Sequence, residues 1–220
     1  NDMAWGAGDS LLRHLVSHDL RSAHALLARK EELLARVGPY GILGESVRAD
    51  RILLALYEGR GRDVREAYAA RSTVLARFDP GVLAALAAVR CEPSAQAMAR
   101  VRRTLRTLRR YPSTPATRAV VAQLHACRAS CSGRRDDVLH LLRKAQGHFR
   151  DAGMRLHVAL IGWRIAELTR DDVALAATLA EARACGVASP EAWLEMLAPQ
   201  PLAASRNDAS TTSPHIEASA

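Results

Sequence analysis

The densest group of side chains that could do chemistry is a run of arginines in the segment ARVRRTLRTLRR, which begins at Ala99. Helical spacing places Val101, Leu105 and Leu108 on one apolar stripe and the arginines on the other faces. The candidate contact residues are Arg102, Arg103, Arg106, Arg109 and Arg110. Clustered guanidinium groups could bind phosphates regardless of base sequence, an acidic partner helix, or an anionic membrane surface.

Two observations limit this interpretation. No aromatic side chain interleaves with the arginines for base stacking, and no helix-turn-helix or zinc-finger pattern accompanies them. Only Lys30 and Lys144 are lysines among the 31 basic residues, an arginine bias typical of GC-rich genomes. The simplest interpretation is a solvated face, followed by an acidic protein partner, with nucleic acid or a membrane as the remaining alternatives.

Two pairs of potential metal ligands have helical spacing. His14 and His18 lie four residues apart, a spacing at which two imidazoles can share a zinc ion, but the sequence supplies no third ligand. Cys127 and Cys131 have the same spacing, and on a helix His125 points away from Cys127. We therefore predict no metal or other cofactor, and small, partly buried, reduced thiols.

The sequence carries no recognisable catalytic motif. Glu191 with Glu195, and Glu167 with Asp171, are interpreted as helix-start and surface charges because no cleft opposes them around a substrate. The glycines of GAGDS, residues 6–10, lack phosphate-loop spacing and the lysine that such a loop needs. His-Arg-Asp and Asp-Phe-Gly kinase motifs are also absent from the sequence. The segment is therefore predicted not to be an enzyme.

The elements that would position these residues are predicted to be helices. Hydrophobic residues make up 49% of the 220-residue chain and aromatic residues only 4%, with alanine and leucine dominant. Such residues favour helices over strands. The segments with helical periodicity are residues 11–18, 20–37, 52–57, 64–75, 82–89, 95–108 and 190–197, with further helices after Pro115, Ser132 and Thr169. Trp5, Trp163, Trp193, Tyr57 and Tyr68 are predicted to pack in the core or between repeats.

Several helices resemble one another and indicate a repeat. Each begins after a tight turn with a nearby aspartate: Asp19, Asp63, Asp137 and Asp172, separated by 44, 74 and 35 residues. An aspartate at a helix start can cap free backbone N–H groups. The spacing predicts an all-α fold of antiparallel helix pairs, stacked as a tetratricopeptide-like (TPR-like) α-solenoid over residues 1–200. Residues 201–220 are polar and aperiodic and are predicted to form a disordered tail.

The end of this repeat region resembles a known family. The stretches FRDAGMRLHVALIGWRIAEL, residues 149–168, and ACGVASPEAWLEMLAP, residues 184–199, are similar to the C-terminus of large bacterial serine/threonine protein kinases that carry an ATPase module and TPR-like repeats. The resemblance implies a non-catalytic regulatory region that docks a protein or peptide, including the kinase and ATPase domains of the same protein. It assigns no catalytic residue to any position in this chain.

These observations predict a protein–protein interaction scaffold. The alternative is a nucleic-acid-binding helical repeat that uses residues 100–110. No stretch of 18 apolar residues predicts a transmembrane segment, and four cysteines without a CxxC pair favour a cytoplasmic protein. The start at Asn1 fits a segment cut from a longer bacterial protein.

Overall fold

A computed structural model describes residues 11–38, 42–60 and 94–198. These residues form nine α-helices joined by short turns. Their bounds are α1 Leu11–Val16, α2 Leu20–Val37, α3 Ile42–Tyr57, α4 Ala95–Leu108, α5 Pro115–Cys131, α6 Arg135–Asp151, α7 Arg155–Thr169, α8 Asp172–Ala184 and α9 Pro190–Leu197. The predicted all-α class is therefore confirmed for the described residues. None of their helices combines the length and the apolar character that crossing a bilayer requires.

Side-chain caps explain where several helices begin. Asp19 Oδ1 accepts a hydrogen bond from the Ser22 backbone N–H, which satisfies one free donor of α2. Ser94 caps α4 in the same way. Thr114 caps α5 through the Thr117 N–H, and Pro115 occupies the first turn, where its missing N–H costs nothing. The helix that the sequence predicts after Pro115 is therefore present, and it begins at Pro115 itself.

The predicted aspartate caps are only partly correct. Asp137 lies inside the first turn of α6 and forms a surface ion pair with Arg134. Asp172 also lies inside its helix, and the preceding Asp171 caps α8 by accepting the Ala174 N–H. In each case two acidic residues are adjacent. The turn geometry places both Asp136 and Asp137 inside α6, after the N-cap Arg134, but leaves Asp171 just before α8. Asp63 falls outside the described residues.

Consecutive helices pack side by side from α4 to α8, with short turns that make neighbours antiparallel. Gly162 in the middle of α7 permits an especially close approach. A Cβ atom there would lie 2.7 Å from Gln146 Nε2 on α6 and 2.9 Å from Thr178 Cγ2 on α8. The absence of a side chain at this position therefore allows α7 to be held tightly between its two neighbours.

The last helix departs from this neighbour-to-neighbour order. α9 packs on α7 and α8, and also on α3 near the beginning of the chain. The Tyr57 and Trp193 rings meet edge to face with centroids 6.0 Å apart, and the Ala188 backbone N–H donates to Val16 O. Both rings are buried, as predicted. α9 therefore joins the N-terminal helices α1–α3 to the α4–α8 stack.

Some sequence predictions fall on residues that the structure does not describe. They concern the helices at 64–75 and 82–89, the side chains of Trp5 and Tyr68, and the C-terminal tail at 201–220.

Candidate interaction surface

The arginine-rich helix α4 is amphipathic in the way its sequence predicts. Val101, Leu105 and Leu108 are 0%, 7% and 3% exposed, and together they form its apolar stripe. The five candidate arginines are all exposed: Arg102, Arg103, Arg106, Arg109 and Arg110. Burial of the stripe fixes the rotation of α4 about its own axis, and the arginines are turned to solvent as a consequence.

The arginines divide between two sides of α4. Arg102, Arg106 and Arg109 follow one another by four and three residues, which places them on one face of the helix. Arg103 lies on an adjacent line of α4, and Arg110, seven residues later, lies in the turn that follows the helix. The sequence treats all five as one group. Helical geometry separates Arg102 and Arg109 from Arg103, and Arg106 lies between those two lines.

Three cations from different parts of the stack act electrostatically on His125 of α5. This imidazole is partly buried, and its pKa is lowered first by desolvation and then by the positive charges of Arg128, Arg109 and Lys144. Arg109 ends α4, Arg128 lies on α5 and Lys144 lies on α6. We call Arg102, Arg106, Arg109, Arg128 and Lys144 the basic face. The sequence did not predict that α5 and α6 contribute to it.

The basic face has no acidic partner within the described residues, since none of its five cations forms an ion pair there. No acidic residue occurs between Ser94 and Arg135, so the four arginines of the basic face have no carboxylate near them in the sequence. Elsewhere cations are paired across helices. Lys30 Nζ lies 2.6 Å from Asp50 Oδ2, and Arg51 Nε lies 2.5 Å from Glu31 Oε1, both between α2 and α3. The basic face is therefore a concentrated positive charge that no acidic residue in the described part of the chain compensates.

A second polar cluster, which we call the Arg164 cluster, lies where α9 meets α7. Arg164 is only 6% exposed, and its guanidinium contacts Glu167 Oε2 at 2.7 Å and Glu195 Oε1 at 2.5 Å. Its Nε also donates to Ala198 O at 2.6 Å. The buried Gln123 amide donates to the neighbouring Leu197 O at 2.5 Å. These bonds satisfy the carbonyl end of α9 and attach it to α5 and α7.

The Arg164 cluster corrects the interpretation of its two glutamates as ordinary surface charges. Glu167 binds Arg164 and also accepts the indole N–H of Trp163 at 3.1 Å, while Glu195 reaches Arg164 from α9. The only signal in the sequence was an arginine within the apolar stretch 157–166. A buried arginine requires carboxylate partners, but the sequence does not show which carboxylates lie nearby.

The two histidines considered for zinc are held apart from each other. α1 ends at Val16, and His18 adopts a left-handed backbone conformation with φ of 57°, so the assumed i, i+4 helical geometry does not exist. Instead, His18 Nδ1 forms a hydrogen bond with the Tyr57 hydroxyl at 2.9 Å. No group of three potential metal ligands occurs within residues 11–38, 42–60 and 94–198.

The cysteines of α5 lie in the interior of the helical stack. Cys127 is buried, and desolvation raises the pKa of its thiol to about 12. Burial also raises the pKa of Cys131. Because the thiolate is the nucleophilic form, both side chains are poor nucleophiles at neutral pH and act as small apolar groups.

A shallow cleft of about 200 Å³ opens between the turn after α6 and the end of α8. Arg150, Arg155 and Glu181 line it with charges of both signs, next to the apolar side chains of Met154 and Val158. The two arginines and Glu181 are exposed, so solvent screens their fields. This arrangement supplies no general acid and base held on opposite sides of a substrate.

We compared the chain with protein-family models, with curated proteins and with solved structures, and none of the three comparisons gave a match.

Proposed function

We propose that this chain is a non-catalytic helical scaffold of TPR-like pairs that binds a protein partner. The observation that carries the proposal is the stack of antiparallel helices from α4 to α8, which presents long exposed helix faces around one core. Stacked helix pairs offer extended surfaces suited to peptides or partner helices. Cys127 is buried, burial raises the pKa of the Cys131 thiol, and the charged side chains of the shallow cleft are exposed, so these features do not favour a reaction over binding.

We further propose that the partner lies in the same polypeptide in its native context. The similarity of residues 149–168 and 184–199 to the C-terminus of bacterial kinase–ATPase proteins supports this assignment. In such a protein the scaffold would act in the cytoplasm by docking the kinase or ATPase domain. α9 would contribute by holding the two ends of the described chain together.

The gene upstream of the Asn1 codon provides the first test. We expect a continuous reading frame that encodes kinase and ATPase motifs. The upstream domains, expressed separately, should then bind this chain in a calorimetric titration with a dissociation constant in the micromolar range or tighter, typical of a specific protein contact. A start codon immediately before Asn1, or upstream domains that do not bind, would contradict the regulatory assignment.

The second candidate function is nucleic-acid binding through residues 100–110, which is favoured by the exposed arginines of α4 and their lack of ion pairs within the described residues. Counterion release would then make affinity fall steeply with salt, by roughly three to five decades between 50 and 200 mM for six to ten phosphate contacts. Titration of a labelled duplex at several salt concentrations measures this slope. A flat salt dependence would eliminate the candidate.

A further inference from the structure

We infer that the basic face, Arg102, Arg106, Arg109, Arg128 and Lys144, is a docking surface for an acidic helical segment of a protein partner. The inference rests on the proposed scaffold function and specifies the chemistry of its partner. The proposed contact lies on one surface of the stack, made by α4, α5 and α6. The Arg164 cluster takes no part in it.

The charge of the basic face complements an acidic partner. Eleven arginines and one acidic residue, Glu92, lie between Arg90 and Arg135, so this part of the chain carries a charge of +10. The fold concentrates that charge further, because Arg109 and Lys144 come from different helices and both act on His125. A partner with clustered carboxylates would supply the counter-charge that the described residues do not provide.

The distances between the arginines along α4 match those between side chains on one face of a partner helix. Arg102, Arg106 and Arg109 follow one face of α4, and seven residues of helix span about 10.5 Å. Glutamates at positions i, i+4 and i+7 of a partner helix repeat the same distances, so each carboxylate can meet one guanidinium. Arg128 lies on α5, which packs on α4 with axes typically about 8–10 Å apart. Lys144 lies one helix further along, on α6, which packs on α5. The two cations therefore widen the surface beyond a single helix.

The side-chain types of the basic face favour an acidic helix over nucleic acid as its partner. The five residues of the basic face are arginines and a lysine, with no aromatic platform for stacking a base and no amide side chain for reading one. Phosphates could still bind the guanidinium groups. Binding of that kind would be purely electrostatic, so the affinity would not depend on how the negative charges are spaced along the partner. The experiment must therefore measure how the affinity for a peptide depends on the spacing of its glutamates.

The experiment uses the full chain and a fluorescein-labelled peptide of about 16 residues. Glutamates stand at helical positions i, i+4, i+7 and i+11, with alanine and glutamine elsewhere. A second peptide has the same composition with its glutamates contiguous, and a 16-mer of oligothymidine serves as the nucleic-acid probe. Fluorescence anisotropy at about 50 and 150 mM salt gives the affinities, because screening weakens exposed charge contacts as salt rises.

Two charge-reversed variants of α4 provide a matched pair. Arg102→Glu/Arg109→Glu changes the basic face, whereas Arg103→Glu/Arg110→Glu makes the same charge change on the adjacent line of α4 and in the turn that follows the helix. All four side chains are exposed, so both variants should fold, and circular dichroism checks their helicity. We expect the first variant to bind the spaced peptide at least about tenfold more weakly than the unsubstituted chain, and the second no more than about threefold.

Three outcomes would overturn the inference: equal losses in the two variants, equal binding of the two peptides, or oligothymidine binding at least as tight as the spaced peptide. The last outcome would favour the nucleic-acid function. If the upstream kinase or ATPase domains bind the chain and Arg102→Glu/Arg109→Glu leaves that binding unchanged, the scaffold function stands and this surface is wrong. If the upstream domains do not bind either, both proposals fail.

Discussion

The Arg164 cluster and the basic face use the same side chain in opposite environments. Arg164 is buried and its guanidinium meets two glutamates and a backbone carbonyl. Arg102, Arg106 and Arg109 are exposed and have no ion pair within the described residues. A buried charge without partners would be very costly, whereas an exposed charge is stabilised by water. The first region therefore depends on its ionic contacts for stability, whereas the charges of the second face solvent and meet no carboxylate of residues 11–38, 42–60 and 94–198.

The comparison also shows where an arginine contributes to the fold. At the Arg164 cluster, one guanidinium connects α7 to Glu195 and Ala198 at the end of the chain's last described helix. On α4, the helix is held by its apolar stripe and the arginines could be changed without altering the core. Substitutions in the two regions should thus have separate consequences, with stability changing in one and binding in the other.

The largest expected effect follows from Arg164→Ala. Removing one partner of a buried ion pair typically costs about 3–5 kcal/mol, and we expect about 3 kcal/mol because Glu167 and Glu195 remain partly exposed. Urea denaturation at neutral pH measures the change in the free energy of unfolding. Arg103→Ala on α4 is the control and should change it by less than about 0.5 kcal/mol. If both variants lost the same free energy of unfolding, the arginines of the two regions would not differ in their contribution to stability.

A smaller effect concerns His157, an imidazole that is partly buried beside Phe149. Burial lowers its pKa to about 4, against Phe149 with ring centroids 4.8 Å apart. The unfolded chain therefore binds a proton at this residue below pH 6.5, while the folded chain does not until about pH 4. Stability should fall by about 2 kcal/mol between pH 7 and pH 5 because of this residue alone.

His157→Leu should remove that part of the pH dependence. The measurement is the free energy of unfolding of the unsubstituted chain and the variant at pH 7 and pH 5. The exposed His140 provides a control, since His140→Leu should leave the pH dependence close to that of the unsubstituted chain. If the free energy of unfolding of His157→Leu falls as much between pH 7 and pH 5 as that of the unsubstituted chain, another group binds the proton.

The third effect tests the same contrast for acidic residues. Asp171 accepts a backbone N–H at the start of α8, whereas Asp137 forms a surface ion pair with Arg134 in which both side chains are more than half exposed. Asp171→Ala should cost about 1 kcal/mol, and Asp137→Ala less than about 0.5 kcal/mol. Thermal unfolding of the two variants shows which substitution causes the larger loss of stability. A larger loss for Asp137 would mean that the assigned helix start is wrong.

The smallest effect on stability is expected for the basic face itself. Arg102→Glu/Arg109→Glu replaces exposed charges that have no ion pair within the described residues, so the free energy of unfolding should change by no more than about 0.5 kcal/mol. Relief of like-charge repulsion would make the change slightly favourable. A loss above about 2 kcal/mol would show that these arginines support the fold and would weaken the contrast with Arg164.

Local patterns in the sequence determined much of this protein. The 3.6-residue period located the helices and the apolar stripe of α4, because each depends on residues within a few turns of one another. The proline after Thr114 marked the start of α5, and the large rings of Tyr57 and Trp193 marked the core. The exposure of the five arginines follows from the same period, once the apolar stripe is buried.

Contacts between distant segments were decided only by the tertiary structure. No local pattern links Arg164 to Glu195, or Arg109 to Lys144, because each pair lies on helices whose mutual placement depends on packing. The end of α1 before His18 and the capping role of Asp171 were missed since they depend on the dihedral angles of single turn residues. Helical periodicity specifies which face of a helix is buried, but not which helix buries it.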